Sequence, residues 1–94
     1  MRREVDADAL ALLLALKDHY DQHNPGAPLV ERTRLAPELV AERAGLDPET
    51  LRYERALGYL VGEGALVWTE RLGSRPGVDF YRITERGLAM MDGL

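Results

Sequence analysis

The sequence predicts an α+β fold that is mainly helical, and three observations carry that prediction. An apolar run without Gly or Pro, Ala9 to Leu16, lies in a stretch of strong helix formers. Two further helical stretches meet at Gly45-Leu46-Asp47. Two β-favouring runs then flank the Gly/Pro-rich stretch Gly73-Ser74-Arg75-Pro76-Gly77. With 94 residues, 46% hydrophobic and 30% charged, the chain has material for one core, so residues 1–94 are expected to form a single domain.

The first helix is expected over residues 5–22, since Asp6 and Asp8 suit its positive N-terminal end and His23-Asn24-Pro25-Gly26-Ala27-Pro28 stops it. Val5, Ala9, Leu12, Leu13, Leu16 and Tyr20 form one stripe, with Leu10 and Leu14 to one side. So wide an apolar arc has two readings: a helix buried on two sides within one chain, or a contact with a second copy through Val5, Ala9, Leu12, Leu16 and Tyr20. The stretch from Leu29 to Arg34 reads as extended. A second helix fits residues 36–44, with Pro37 in its first turn and Gly45 as its left-handed cap. Asp47 as N-cap and Pro48 at the first position begin a third helix that runs to about Glu63. Helix-turn-helix geometry is thus expected over about 36–63.

On the third helix Tyr53, Leu57, Leu60, Val61 and Gly64 cluster on one side, and Pro48, Arg52, Arg55, Tyr59 and Gly62 on the other. Leu66-Val67-Trp68-Thr69 and Val78-Asp79-Phe80-Tyr81-Arg82-Ile83 make a hairpin over about 65–83. Thr84 is placed to cap a last short helix carrying Leu88, Met90 and Met91. Tyr53 and Trp68, beside Leu57 and Leu66, read as core residues.

Charge and composition exclude several function classes. Twelve Lys plus Arg against sixteen Asp plus Glu leave a net charge of −4, shared equally by the two halves, so a nucleic-acid surface has to be a local patch. Eleven of the twelve cations are Arg, the better bidentate partner for phosphate and guanine, although a GC-rich coding bias produces the same excess. Without cysteine there is no disulfide framework and no thiol or cysteine–zinc chemistry. The apolar run is too short to span a membrane, and the acids after Arg2 and Arg3 do not fit a secretory leader, so a soluble cytoplasmic protein is expected. Ser74 is the only serine, which leaves no serine–histidine–acid set, and Gly62-x-Gly64 ends a helix instead of opening one as a phosphate loop does. His19 and His23 share a helix face but lack a third ligand. No catalytic residue, metal or cofactor is therefore expected.

Three motifs carry a family resemblance. Ala44-Gly45-Leu46-Asp47-Pro48-Glu49-Thr50-Leu51-Arg52-Tyr53 resembles the turn and recognition-helix start of the winged helix-turn-helix domains of small prokaryotic transcription regulators. Leu57-x-x-Leu60-x-x-x-Gly64-x-Leu66-Val67 is similar to the way that family enters its first wing strand. Tyr81-Arg82-Ile83-Thr84-Glu85-Arg86-Gly87 looks like the way it leaves the wing. Together they cover residues 36–91. The resemblance implies three helices, a two- or three-stranded β-wing and a short C-terminal helix.

It also implies that the third helix lies in the major groove of duplex DNA. Arg52 and Arg55 would then read guanine or clamp phosphate, Thr50 and Tyr59 would donate to phosphate oxygens, and Arg75 at the wing tip, with Arg71 and Arg82 beneath it, would reach the minor groove. The apolar arc of helix 1 makes a homodimer through that helix the expected assembly, with the C-terminal helix as a further candidate contact. Against this stand Asp47, Glu49 and Glu54, and a plainer reading makes Arg52, Arg55 and Arg75 a solvated surface. The alternative function is a winged helix that binds another protein through its acidic surface or its apolar helix 1.

Overall fold

The computed structural model describes residues 2–29, 33–73 and 78–92, with side chains from residue 7 onward. The order is α1 (Arg2–His23), α2 (Pro37–Val40) continued by a 3-10 turn (Ala41–Ala44), α3 (Leu51–Gly62), β1 (Leu66–Leu72), β2 (Val78–Ile83) and α4 (Glu85–Asp92). It is α+β and mainly helical, with one two-stranded antiparallel sheet.

Helix α1 is the central element. It packs on α2, the 3-10 turn, α3 and α4, and Leu12, Leu13 and Leu16 are fully buried. Burying such a leucine is worth about 1.5–3 kcal/mol, so the width of the apolar arc is used inside one chain. This corrects the subunit-contact reading. Ala9, Leu12 and Leu16 are wholly interior and Tyr20 nearly so, because the remaining helices cover α1 on more than one side. The side chain of Val5 lies outside the described residues. Leu14, by contrast, is exposed. At the end of α1 the Tyr20 hydroxyl donates to the Pro28 carbonyl at 2.8 Å, folding the Pro/Gly segment back on the helix.

The second helix is shorter than expected. After one α turn the backbone tightens at Val40 into a 3-10 turn, and Gly45, at φ 74°, donates its N–H to the carbonyls of Ala41 and Glu42. The Leu46 N–H also returns to the Ala41 carbonyl at 3.0 Å. Those bonds satisfy carbonyls at a helix end and draw Leu46 into the core, and the left-handed φ suits glycine.

Helix α3 starts at Leu51, three residues later than Asp47-Pro48 suggested. Asp47 organises the turn instead: its Oδ1 accepts the Glu49 N–H at 2.9 Å and its carbonyl accepts the Thr50 N–H at 3.1 Å. Thr50 is the N-cap, its Oγ1 accepting the Tyr53 N–H at 3.3 Å. Tyr53, Ala56 and Leu60 are buried, with Leu57 and Tyr59 packed beside them, while Val61 is exposed. The packed face is thus turned toward Ala56 relative to the expected one. Burial drives the Tyr53 hydroxyl well above its ordinary pKa, with Glu38 adding to the shift.

Strands β1 and β2 pair from Leu66↔Ile83 to Leu72↔Val78, with one extra residue, Thr69, bulged out of β1. Leu35 adds a single antiparallel rung on the other edge of β2, exchanging two 2.7 Å hydrogen bonds with Tyr81. Leu66 and Ile83 are buried, but the hairpin then runs past the core. Trp68 is consequently 53% exposed and not a core residue, its Nε1 donating to Asp79 at 3.0 Å. As expected, Thr84 caps α4: its Oγ1 accepts the Gly87 N–H at 3.1 Å and its N–H donates to the Ala65 carbonyl.

Candidate nucleic-acid interface

The side of α3 turned from the core carries Leu51, Glu54, Arg55, Gly58, Val61 and Gly62, all exposed. Arg52 and Tyr59 lie on the flank between this ridge and the packed face. The helical period brings Arg55 one turn from Leu51 and Gly58 at the outermost line. Arg55 makes no hydrogen bond or ion pair with another described residue.

Arg52 is differently placed. Its Nε and Nη2 donate to Oδ2 and Oδ1 of Asp8 on α1, both at 2.7 Å. The carboxylate is nearly buried while 66% of the arginine side chain is exposed, so the guanidinium stands outward with the acid behind it. The Arg52 hydrogen bonds hold the Asp8 carboxyl below its ordinary range, outweighing the opposite effect of burial.

Two expected phosphate donors are already occupied. The Thr50 hydroxyl gives its proton to the Asp47 carbonyl at 2.7 Å and accepts from Tyr53, so it serves the helix cap. Tyr59 is half-buried against the core, because the flank it occupies faces inward. On the hairpin, Nε and Nη2 of Arg71 both donate to Asp79 at 2.9 Å, and the same carboxylate accepts from Trp68. Those bonds, from Arg71 first and Trp68 second, hold Asp79 below its ordinary pKa. Arg82 is half-buried and lines a cleft with Leu29, Thr84, Arg86 and Leu88. Arg75 lies outside the described residues.

Other cations are matched as well. Arg34 pairs with Glu70, Arg43 with Asp18 at 3.9 Å and Arg86 with Glu63 at 3.5 Å. Such exposed pairs contribute about 0–1 kcal/mol each, yet they lower the positive potential a phosphate backbone would meet. The His19 and His23 ring centroids lie 4.2 Å apart with the rings tilted by 40°, and burial lowers the pKa of His19. Among the described residues, no group of three His, Asp or Glu side chains is arranged to hold a metal ion, and no helix is long and apolar enough to cross a membrane.

Asp8 and Asp79 are the site residues that sequence reasoning missed. Asp8 lies 44 positions from Arg52, and no local pattern signals a pairing at that distance. Asp79 faces Arg71 across the hairpin, which the strand register would have revealed had the bulge at Thr69 been foreseeable. Compared with known protein families, curated proteins and solved structures, the chain shows no significant match.

Proposed function

We propose that the chain is a winged-helix domain that binds duplex DNA, with α3 in the major groove and the hairpin against the flanking backbone, in the manner of a small transcription regulator. The observation that carries this reading is the exposed side of the helix after the turn, where two guanidiniums project, Arg55 without a partner among the described residues and Arg52 held outward by Asp8. The element order supports it: helix, single-rung strand at Leu35, helix, turn, helix, hairpin. Arg55 is the phosphate or base contact at the centre of the groove, and Arg52 lies one helical turn toward α1.

A second reading is favoured by a different observation. Leu39 is 70% and Leu51 66% exposed, and most described arginines already have a carboxylate. Such a surface suits a protein partner better than a polyanion.

Fluorescence anisotropy of a labelled random-sequence duplex separates the two. DNA binding predicts micromolar or tighter affinity at low salt that weakens with a log–log slope of about −2 to −3 per bound chain, since few cations project. Arg55→Ala should flatten that slope by about 1. Absence of binding at low salt would refute the DNA reading and direct attention to the apolar surface.

A further inference from the structure

We infer that Leu51 is a specificity-determining residue that reads the 5-methyl group of a thymine in the major groove. The inference rests on the DNA reading and deepens it, since it names a base and the side chain that selects it. Leu51 is the first residue of α3, and the N-terminal residues of a helix lying in the major groove are those that meet base edges. It is 66% exposed and takes no part in the apolar core. The helix does not call for it either, because an acidic residue would suit the first turn better. Its neighbours on the same ridge, Glu54 and Arg55, are exposed and charged. Along the major-groove edges of the bases, hydrogen-bonding groups predominate and the thymine methyl is the apolar feature. A leucine presented there is matched to that methyl group and to no donor or acceptor.

The backbone that carries Leu51 is firmly held. On one side, the Thr50 hydroxyl donates to the Asp47 carbonyl at 2.7 Å and accepts the Tyr53 N–H at 3.3 Å, while the Thr50 carbonyl accepts the Glu54 N–H at 3.2 Å. On the other, Tyr53 is buried two residues later. Leu51 brings no charge, so it adds nothing to the salt-dependent attraction for phosphate and acts on the choice among sequences. Leu39 gives the contrast. It is as exposed, at 70%, but belongs to α2, the helix that crosses the backbone in this docking and meets no base edge.

The test uses the full chain and its Leu51→Gln and Leu39→Gln variants, with melting temperatures to confirm that each is folded. Selection by the wild type from a duplex pool with a randomised core identifies the preferred site, in which a thymine is expected. That thymine is then replaced by deoxyuridine, which removes the methyl group and keeps every hydrogen-bonding group of the base pair. By anisotropy, the wild type should bind the uracil duplex about fourfold more weakly than the thymine duplex, the change that burying one methyl group gives. Leu51→Gln should bind the two duplexes alike. Leu39→Gln should keep the wild-type difference.

A selected site without thymine, or equal wild-type affinity for the thymine and uracil duplexes, would overturn the role of Leu51 and leave the DNA reading intact. So would a difference that persists in Leu51→Gln, since another group then reads the methyl. Loss of the difference in Leu39→Gln as well would mark a general apolar surface and overturn the assignment to Leu51. A wild-type chain that binds no duplex at low salt overturns both readings, and it does so before any variant is compared.

Discussion

Replacing Gly87 with alanine sets two familiar effects against each other, and the packing decides which wins. In the interior of a helix, alanine is favoured over glycine by about 0.8–1.0 kcal/mol. At Gly87, however, the added Cβ would stand 2.6 Å from the Ala65 carbonyl oxygen and 2.9 Å from Cγ2 of Ile83. Neither neighbour can yield easily. The Ala65 carbonyl already accepts the Thr84 N–H at 3.0 Å and its hydroxyl at 3.1 Å, and Ile83 is buried. Overpacking of this kind costs about 1–3 kcal/mol, and a backbone contact belongs in the upper half of that range. The net expectation is a loss of about 1–2 kcal/mol, read as a melting temperature lower by about 4–16 °C for a domain of this size. Gly58 in α3 supplies the control, since a Cβ there meets nothing within 4 Å. Gly58→Ala should stabilise by about 0.5–1 kcal/mol. Thermal and urea unfolding followed by circular dichroism give both numbers. A Gly87→Ala chain as stable as the wild type, or a destabilised Gly58→Ala chain, would refute the packing argument.

Three further outcomes are expected. Thr50→Ala removes the α3 cap and should cost about 0.5–2 kcal/mol in the same unfolding assay, whereas Asp47→Ala leaves the Tyr53 N–H bond in place and should cost less. Leu12→Ala opens a cavity at a fully buried position on α1 and should cost about 2–5 kcal/mol; a smaller loss would mean that α1 is not the centre of the core. Because the folded pKa of Asp8 lies below its ordinary 3.8, the contribution of the Asp8–Arg52 pair to folding is fully present above that pH and is lost as pH falls through the folded value. Stability measured from pH 6 down to pH 2 should therefore decline less steeply in Asp8→Asn than in the wild type.

Local signals in the sequence proved dependable where one residue type had one use. The breaker after His23, the Gly45 cap, the Thr84 cap and the Gly/Pro-rich stretch between β-favouring runs each mark a boundary that the described structure keeps. Where two residues compete for one role, the sequence does not rank them. Asp47 and Thr50 are both good caps, and in the fold Asp47 holds the turn while Thr50 caps the helix. The apolar arc of α1 is equally silent about what covers it, since the hydrophobic effect does not distinguish a neighbour in the same chain from one in another. Trp68 was misread because aromatic character signals burial only where the core still reaches, and here it ends near the Leu66–Ile83 rung. The candidate interface was the least legible part, as its arginines were visible but the acids that grip them come from other elements.

The Leu35–Tyr81 rung has a consequence for how the chain reaches its native state. It joins the segment before α2 to the last strand, and the Asp8–Arg52 pair likewise joins the first helix to the third. Neither link exists until distant parts of the chain have met, and Ile83 completes the core only from β2. The packing of α1 on α2 and α3 does not depend on the hairpin, so these links add distant contacts to a helical core that the first three helices already supply. Distant links of this kind make folding slower than that of a plain three-helix bundle. The helix-turn-helix excised without α1 and the hairpin is therefore expected to be a loose chain and not a smaller version of the protein.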